Sequence, residues 1–118
     1  RLGRRGIGPG AARTRTGSRD PQTPEEDRIR RGGSGVVEIT EAFASVVLAV
    51  SDELGLDESV ICPQGGAIAM GHPWGASGAI LLVRLASQML REDGPPLGLA
   101  ACAIGGGQGI AMLVERVS

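Results

Sequence analysis

The chain has 118 residues, 42% of them hydrophobic, with Phe43 and Trp74 as its only aromatics, which bounds it to one modest domain with an aliphatic core. Its formal net charge of −1 conceals an asymmetry: residues 1–35 carry nine arginines against four acids, and residues 36–118 carry three against nine. The basic head has no aromatic, no lysine and no helical charge stripe, which argues against a nucleic-acid surface. No apolar run reaches the ~18 residues of a membrane span, and no hydrophobic secretory segment opens the chain.

Residues 10–35 offer almost nothing to bury, since Ala11, Ala12 and Ile29 stand among arginine, glycine, proline, serine and threonine. Such a composition does not offset the entropy of ordering, so residues 1–35 are expected to be a basic, disordered or aberrant leader. The arginine-rich, acid-free stretch from Arg1 to Arg19 has the composition of a transit peptide, but its few apolar residues trace no helical face.

Val36-Val37-Glu38-Ile39 is a short β-branched run suited to a strand. Phe43, Val46, Val47, Val50 and Leu54 recur at steps of three and four, which predicts an amphipathic helix over Glu41–Leu54 closed by Gly55. Thr40 suits the N-cap of that helix. Residues 57–64 read as a turn or loop. Ala67–Met70 reads as a brief, buried, extended piece, and the glycines and Pro73 after it force a tight, exposed turn.

That turn holds the only histidine, His72, between Gly71 and Pro73. Gly75, Ala76 and Gly78 are small enough for a bulky ligand to approach the backbone. A second helix is predicted over Ala76–Arg91, apolar on nearly every side through Ile80, Leu81, Leu82, Val83, Leu85, Met89 and Leu90, and therefore buried within a layer. Its N-terminal N–H groups are directed at the histidine turn. A lone histidine is ordinarily structural, but in this context it is a candidate for proton transfer or for donating to an oxyanion.

Asp93-Gly94-Pro95-Pro96 ends the helix, and Leu97–Ile104 and Gly109–Arg116 read as two strands joined by the glycine-rich turn 105–109. The glycine run lacks the lysine of a phosphate-binding P-loop and the spacing of a dinucleotide fingerprint. Cys62, in a loop before a proline, and Cys102, in a small-residue strand, form neither a disulfide framework nor a zinc pattern. The order strand, helix, short strand, helix, strand, strand fits part of a layered α/β unit.

The stretch from Gly65 to Gly78, followed by Cys102 and Gly105-Gly106-Gly107-Gln108-Gly109, resembles the carboxy-terminal signature of the thiolases. Glu38-Ile39-Thr40-Glu41-Ala42-Phe43-Ala44 is similar to the same family's Asn-Glu-Ala-Phe motif, with Thr40 where the family has asparagine. The resemblance covers residues 36–118. It implies a partial thiolase-like layered α/β fold, the last elements of the second of two similar halves, in a fragment of a longer protein. Gly6-Ile7-Gly8-Pro9 is also similar to a short thiolase segment, and a misread frame or a gene junction would account for the interruption at residues 10–35.

In the family, the histidine matching His72 activates a cysteine nucleophile and helps to bind the thioester oxygen. The asparagine position, here Thr40, holds a water in an oxyanion hole, and a backbone N–H of the glycine run, here Gly105, donates in another. The resemblance further implies Phe43, Gly71, Gly75 and Ser77 as substrate-binding positions. The family's acid/base cysteine stands in a Cys-x-Gly arrangement, where this chain has Ala103, and Cys102 lies one residue earlier. On a strand, one residue reverses the side of the sheet, so either a bulge returns Cys102 to the pocket or the acid/base function is missing. No segment matches the surroundings of the family's nucleophilic cysteine.

These residues imply a thiolase-type acyltransferase acting on acyl-CoA and 3-oxoacyl-CoA, incomplete as this segment alone. Coenzyme A thioesters would enter as substrates, with no separate cofactor and no metal. A homo-oligomeric full-length protein in the cytoplasm, with no nucleic-acid or membrane partner, is expected. A noncatalytic, thiolase-derived thioester-binding or assembly module is the alternative.

Overall fold

The structure, a computed structural model, describes residues 35–117. The reading of residues 1–35 as a basic leader lies outside the described residues except at Gly35, which the structure instead makes the first residue of β1. Strand β1 (Gly35–Ile39) leads through helix α1 (Ala44–Leu54), a 3-10 turn (Glu58–Val60), the one-turn helix α2 (Ala67–Met70), a second 3-10 turn (Trp74–Ala76) and helix α3 (Ser77–Met89) to strands β2 (Leu97–Ile104) and β3 (Gln108–Glu115).

The sheet has the order β1-β2-β3. β1 pairs parallel to β2, from Gly35 against Leu97 to Ile39 against Ala101, and β2 pairs antiparallel to β3. Alternation along the strands sends successive side chains to opposite faces and so creates two cores. On one face, Val37, Ile39 and Leu97 join Leu56, Ile61 and Cys62, covered by Val47, Val50 and Leu54 of α1. On the other, Val36 and Ala100 meet Leu81, Leu85 and Met89 of α3. The described residues therefore form an α/β unit with a helix on each face of the sheet.

At Gly98 α3 lies close against the sheet: a Cβ there would lie 2.7 Å from Leu85 Cδ1 and 2.6 Å from Met89 Sδ. Leu85 and Val37 are among the largest fully buried side chains, so truncating Leu85 to alanine would cost about 2–5 kcal/mol.

Several expectations are corrected. α1 begins at Ala44, three residues later than its periodicity indicates, because residues 40–42 form a turn in which Ala42 N–H donates to Thr40 C=O. Phe43 is the N-cap residue, with extended backbone, and Thr40 is not. Ala67–Met70 is a helical turn rather than a buried extended piece, and Ile68 and Met70 are largely exposed, because Gly66 C=O accepts from the N–H groups of Ala69 and Met70. α3 buries one stripe, Ser77, Leu81, Leu85, Gln88 and Met89, while Val83, outside that stripe, is 68% exposed. Gly55 closes α1 as expected, in the left-handed region at φ 62°.

Candidate active site

Gly71 ends α2 at φ 92° and ψ 169°, a conformation in which a Cβ would be strained. The chain then turns through His72 and Pro73, and Trp74 sits at φ 38°. The 3-10 turn over Trp74–Ala76 leads directly into α3, whose first residue, Ser77, is buried. His72 Nδ1 lies 2.6 Å from Ser77 Oγ. That contact has two useful forms: if Nδ1–H donates to the hydroxyl, Nε2 is left as an acceptor of protons, and if the hydroxyl donates to Nδ1, Nε2–H is left as a donor.

Beside this pair a recess of about 150 Å³ is walled by Ile39 and Thr40 of the β1 end, Met70, Gly71 and His72 of the turn, and Ser77, Ile80 and Arg84 of α3. Its lining is chiefly apolar, with a few polar groups, as small-ligand sites are. Thr40 is 6% exposed; its N–H donates to Ala101 C=O, but its hydroxyl has no hydrogen-bond partner. An unpaired buried hydroxyl costs about 1–3 kcal/mol, so the Thr40 side chain carries a local penalty beside the recess that its residue helps to wall.

The fold thus brings together Thr40, Gly71, His72 and Ser77 of the predicted positions. Phe43 does not line the recess and is 72% exposed at the start of α1. Gly75 is exposed within the 3-10 turn, and Gly105 is exposed in the hairpin loop; neither lines the recess. In that loop Gly106 and Gly107 hold φ values of 73° and 69°, which the hairpin turn itself requires of those two positions.

Cys102 packs with Ala100 and Val36 against α3, half-buried, and its thiol contacts Ala103 C=O at 3.4 Å. The pairing of β2 with β3 runs unbroken from Leu97 against Glu115 to Ile104 against Gln108, so no bulge alters the register at Cys102. Cys102 therefore shares the α3 face of the sheet with Thr40's end of β1 but does not line the recess, and Ala103 lies on the opposite face.

Cys62 is buried, with its thiol within 3.4 Å of Ile39 N–H and 3.6 Å of Ile39 C=O. Burial pushes this thiol up to about 12, with the Glu38 and Glu41 carboxylates adding to the effect and the Ile39 N–H opposing it. It stays a protonated packing group rather than a nucleophile.

Three residues beside the site escaped the sequence reading. Glu41 Oε2 accepts from Ile68 N–H at 2.9 Å. Glu38, fully buried on β1, pairs with Arg84 of α3, Nε to Oε2 at 3.0 Å, and accepts from Gln88 Nε2 at 2.6 Å. A carboxylate inside a β-branched run and a lone arginine inside an apolar helix are signals that could have raised this pair, because unpaired charges are not placed in cores.

Residues 26–116 match the family model described as the thiolase C-terminal domain. The chain is 46% identical over 111 residues to an acetyl-CoA acetyltransferase of Cupriavidus necator, covering 94% of this chain and 26% of that protein. It is 53% identical over 83 residues to an acetyl-CoA acetyltransferase of Escherichia coli, covering 70% and 21%. Among solved structures, a thiolase from Ascaris suum in complex with coenzyme A matches with a TM-score of 0.62 at 44% identity, covering 70% of this chain and 21% of that one. The chain thus spans about a fifth to a quarter of the length of these relatives.

Proposed function

The chain belongs to the thiolase family through its C-terminal domain, and on that premise we propose that it supplies the histidine side of a thiolase-type acyl-transfer site acting on acyl-CoA and 3-oxoacyl-CoA. The observation that carries this reading is the His72–Ser77 contact set against a recess that Thr40 also helps to wall. With Nδ1–H donated to Ser77, His72 takes a proton from the attacking thiol through Nε2. With Ser77 donating instead, His72 Nε2–H bonds the developing thioester oxyanion, and Thr40, once its buried hydroxyl rotates toward the recess, offers a second donor directly or through one water. Gly105 N–H is a third donor when substrate bridges the hairpin and the recess. The nucleophile comes from a segment that nothing in residues 36–118 matches. Coenzyme A arrives as part of the substrate, with no further cofactor. The full-length protein is proposed to act as a cytoplasmic homo-oligomer without nucleic-acid or membrane partners.

The unbroken β2–β3 register favours a second reading. With Cys102 outside the recess lining and Ala103 at the family's cysteine position, the protein would bind thioesters without returning the proton that carbon–carbon bond exchange requires.

Thiolytic cleavage of acetoacetyl-CoA by the full-length reading frame containing this segment separates the two. Activity abolished by His72→Ala supports the transferase; a parent that binds the thioester but does not turn it over supports the binding module.

A further inference from the structure

We propose that Arg84 is a positioning residue for His72, one guanidinium that fixes the histidine turn against the strand end bearing Thr40. Arg84 reaches three separate parts of the chain. Its Nε donates to Glu38 Oε2 at 3.0 Å and its Nη2 to Glu38 Oε1 at 3.4 Å; Nη2 also donates to Gly65 C=O, and Nη1 meets Met70 Sδ at 3.6 Å. Glu38 is two residues before Thr40 on β1, while Gly65 and Met70 bracket the segment that delivers His72. Glu38 has no exposed surface, and Gln88 Nε2, one turn along α3, holds its Oε1 at 2.6 Å.

The turn needs such an anchor. Beyond local turn hydrogen bonds, residues 65–72 are tied to other elements through side chains: Glu41 at Ile68 N–H, Ser77 at the His72 ring, and Arg84 at Gly65 and Met70. His72 itself is exposed, so its orientation depends on where the segment is held rather than on packing around the ring. The planar fork of arginine makes several bonds in fixed directions, whereas an ammonium is a point charge with free rotation. Pairing with a fully desolvated carboxylate holds that fork, because Glu38 has no water to turn to and its bond to a charged donor is among the stronger hydrogen bonds. Arg84 also forms part of the recess wall, so the group that sets the distance between the Thr40 and His72 sides is in the site it shapes.

The proposal rests on the reading of His72 as the group that faces substrate, but its test does not require turnover. His72 is the only histidine, so the ring nitrogens of the 15N-histidine-labelled chain give a single, unambiguous set of NMR signals. Ser77→Ala defines the shift of a ring that has lost its partner. Arg84→Lys retains a charge beside Glu38, and Glu38→Gln with Arg84→Met removes both charges so that neither is stranded in the core. In both, the His72 shifts are expected to move at least halfway to the Ser77→Ala values while circular dichroism stays that of the parent. Folded variants with parental His72 shifts would overturn the proposal. Loss of fold in both would overturn it as well, by making Arg84 a residue of the core rather than of the site. A full-length frame inactive in thiolysis, with the His72 shifts moving as expected, would count against the acyl-transfer reading and leave the positioning role standing.

Discussion

Glu41 and Ile68, 27 residues apart in sequence, are joined by a 2.9 Å hydrogen bond in which the Ile68 N–H donates to the carboxylate. Ile68 lies in the first turn of α2, whose N-cap, Gly66, has no side chain to serve its free N–H groups. The cap is instead supplied by the residue next to Thr40, so a single interaction couples the end of β1 to the turn that presents His72. A Cβ at Gly66 would sit 2.5 Å from the Glu41 carboxylate oxygen, so a larger residue there would push the capping carboxylate aside.

Glu41→Ala is expected to destabilise by about 1 kcal/mol, the typical value of an N-cap, and the loss should be local. Amide hydrogen exchange at Ile68 should quicken about fivefold, with exchange across β2 unchanged. Equal acceleration everywhere would mean that the carboxylate supports the whole fold rather than the turn.

Ser77→Ala in the full-length reading frame is expected to lower kcat for acetoacetyl-CoA thiolysis about tenfold, since His72 keeps its place but loses the partner that selects its tautomer. His72→Ala should lower it by about 10²–10⁴, the usual contribution of a positioned acid or base. Equal rates for Ser77→Ala and the parent would show that the 2.6 Å contact does not act in the reaction.

Thr40→Val replaces a buried, unpaired hydroxyl with a methyl group of similar shape. Relief of its desolvation should raise stability by about 1 kcal/mol in urea titration, while thioester turnover falls. A destabilised Thr40→Val would indicate that the hydroxyl is already satisfied in the folded chain.

Cys102→Ala is expected to leave thioester binding unchanged, because Cys102 does not line the recess. If Cys102→Ala alone abolishes turnover, Cys102 reaches substrate despite its place on the α3 face of β2.

Cys62 gives the protein an alkaline limit. Its thiol ionises near 9.0 when unfolded and only at about 12 when folded, so the folded state holds the proton longer. The neutral buried thiol therefore contributes stability that is fully present below pH 9 and is lost as pH rises toward 12, with a slope of up to about 1.4 kcal/mol per pH unit. The chain has no tyrosine and no lysine, so only thiol side chains ionise in that range. Cys62→Ser should flatten the decline in denaturation midpoint between pH 9 and 11; an unaltered decline would assign it elsewhere.

Where a residue's role depended on its neighbours in sequence, the sequence disclosed it. The three- and four-residue spacing of Val46, Val47, Val50 and Leu54 placed α1, Gly55 its end, and Leu97–Ile104 a strand with the bounds the structure has, because helix and strand periods are properties of the local backbone. The His72 turn was legible for the same reason: glycine and proline act on their own φ angles. Ala67–Met70 misled because four small and apolar residues carry no period by which a helical turn and an extended piece can be told apart.

The sequence by itself determined that this chain carries a thiolase-like histidine turn, a strand and a helix on either side of Thr40, and a glycine hairpin with alanine where the family has cysteine. Only the tertiary structure decided which of these share a site. It closed Thr40, Gly71, His72 and Ser77 around one recess and left Phe43, Gly75, Gly105 and Cys102 out of its lining. It also recruited Glu38, Glu41 and Arg84 as the supports of that recess. The physical reason is that hydrogen bonds across 27 and 46 residues depend on where strands and helices come to rest, and that is settled by burial of Val36, Val37, Leu81 and Leu85 rather than by any local pattern around the residues that bond.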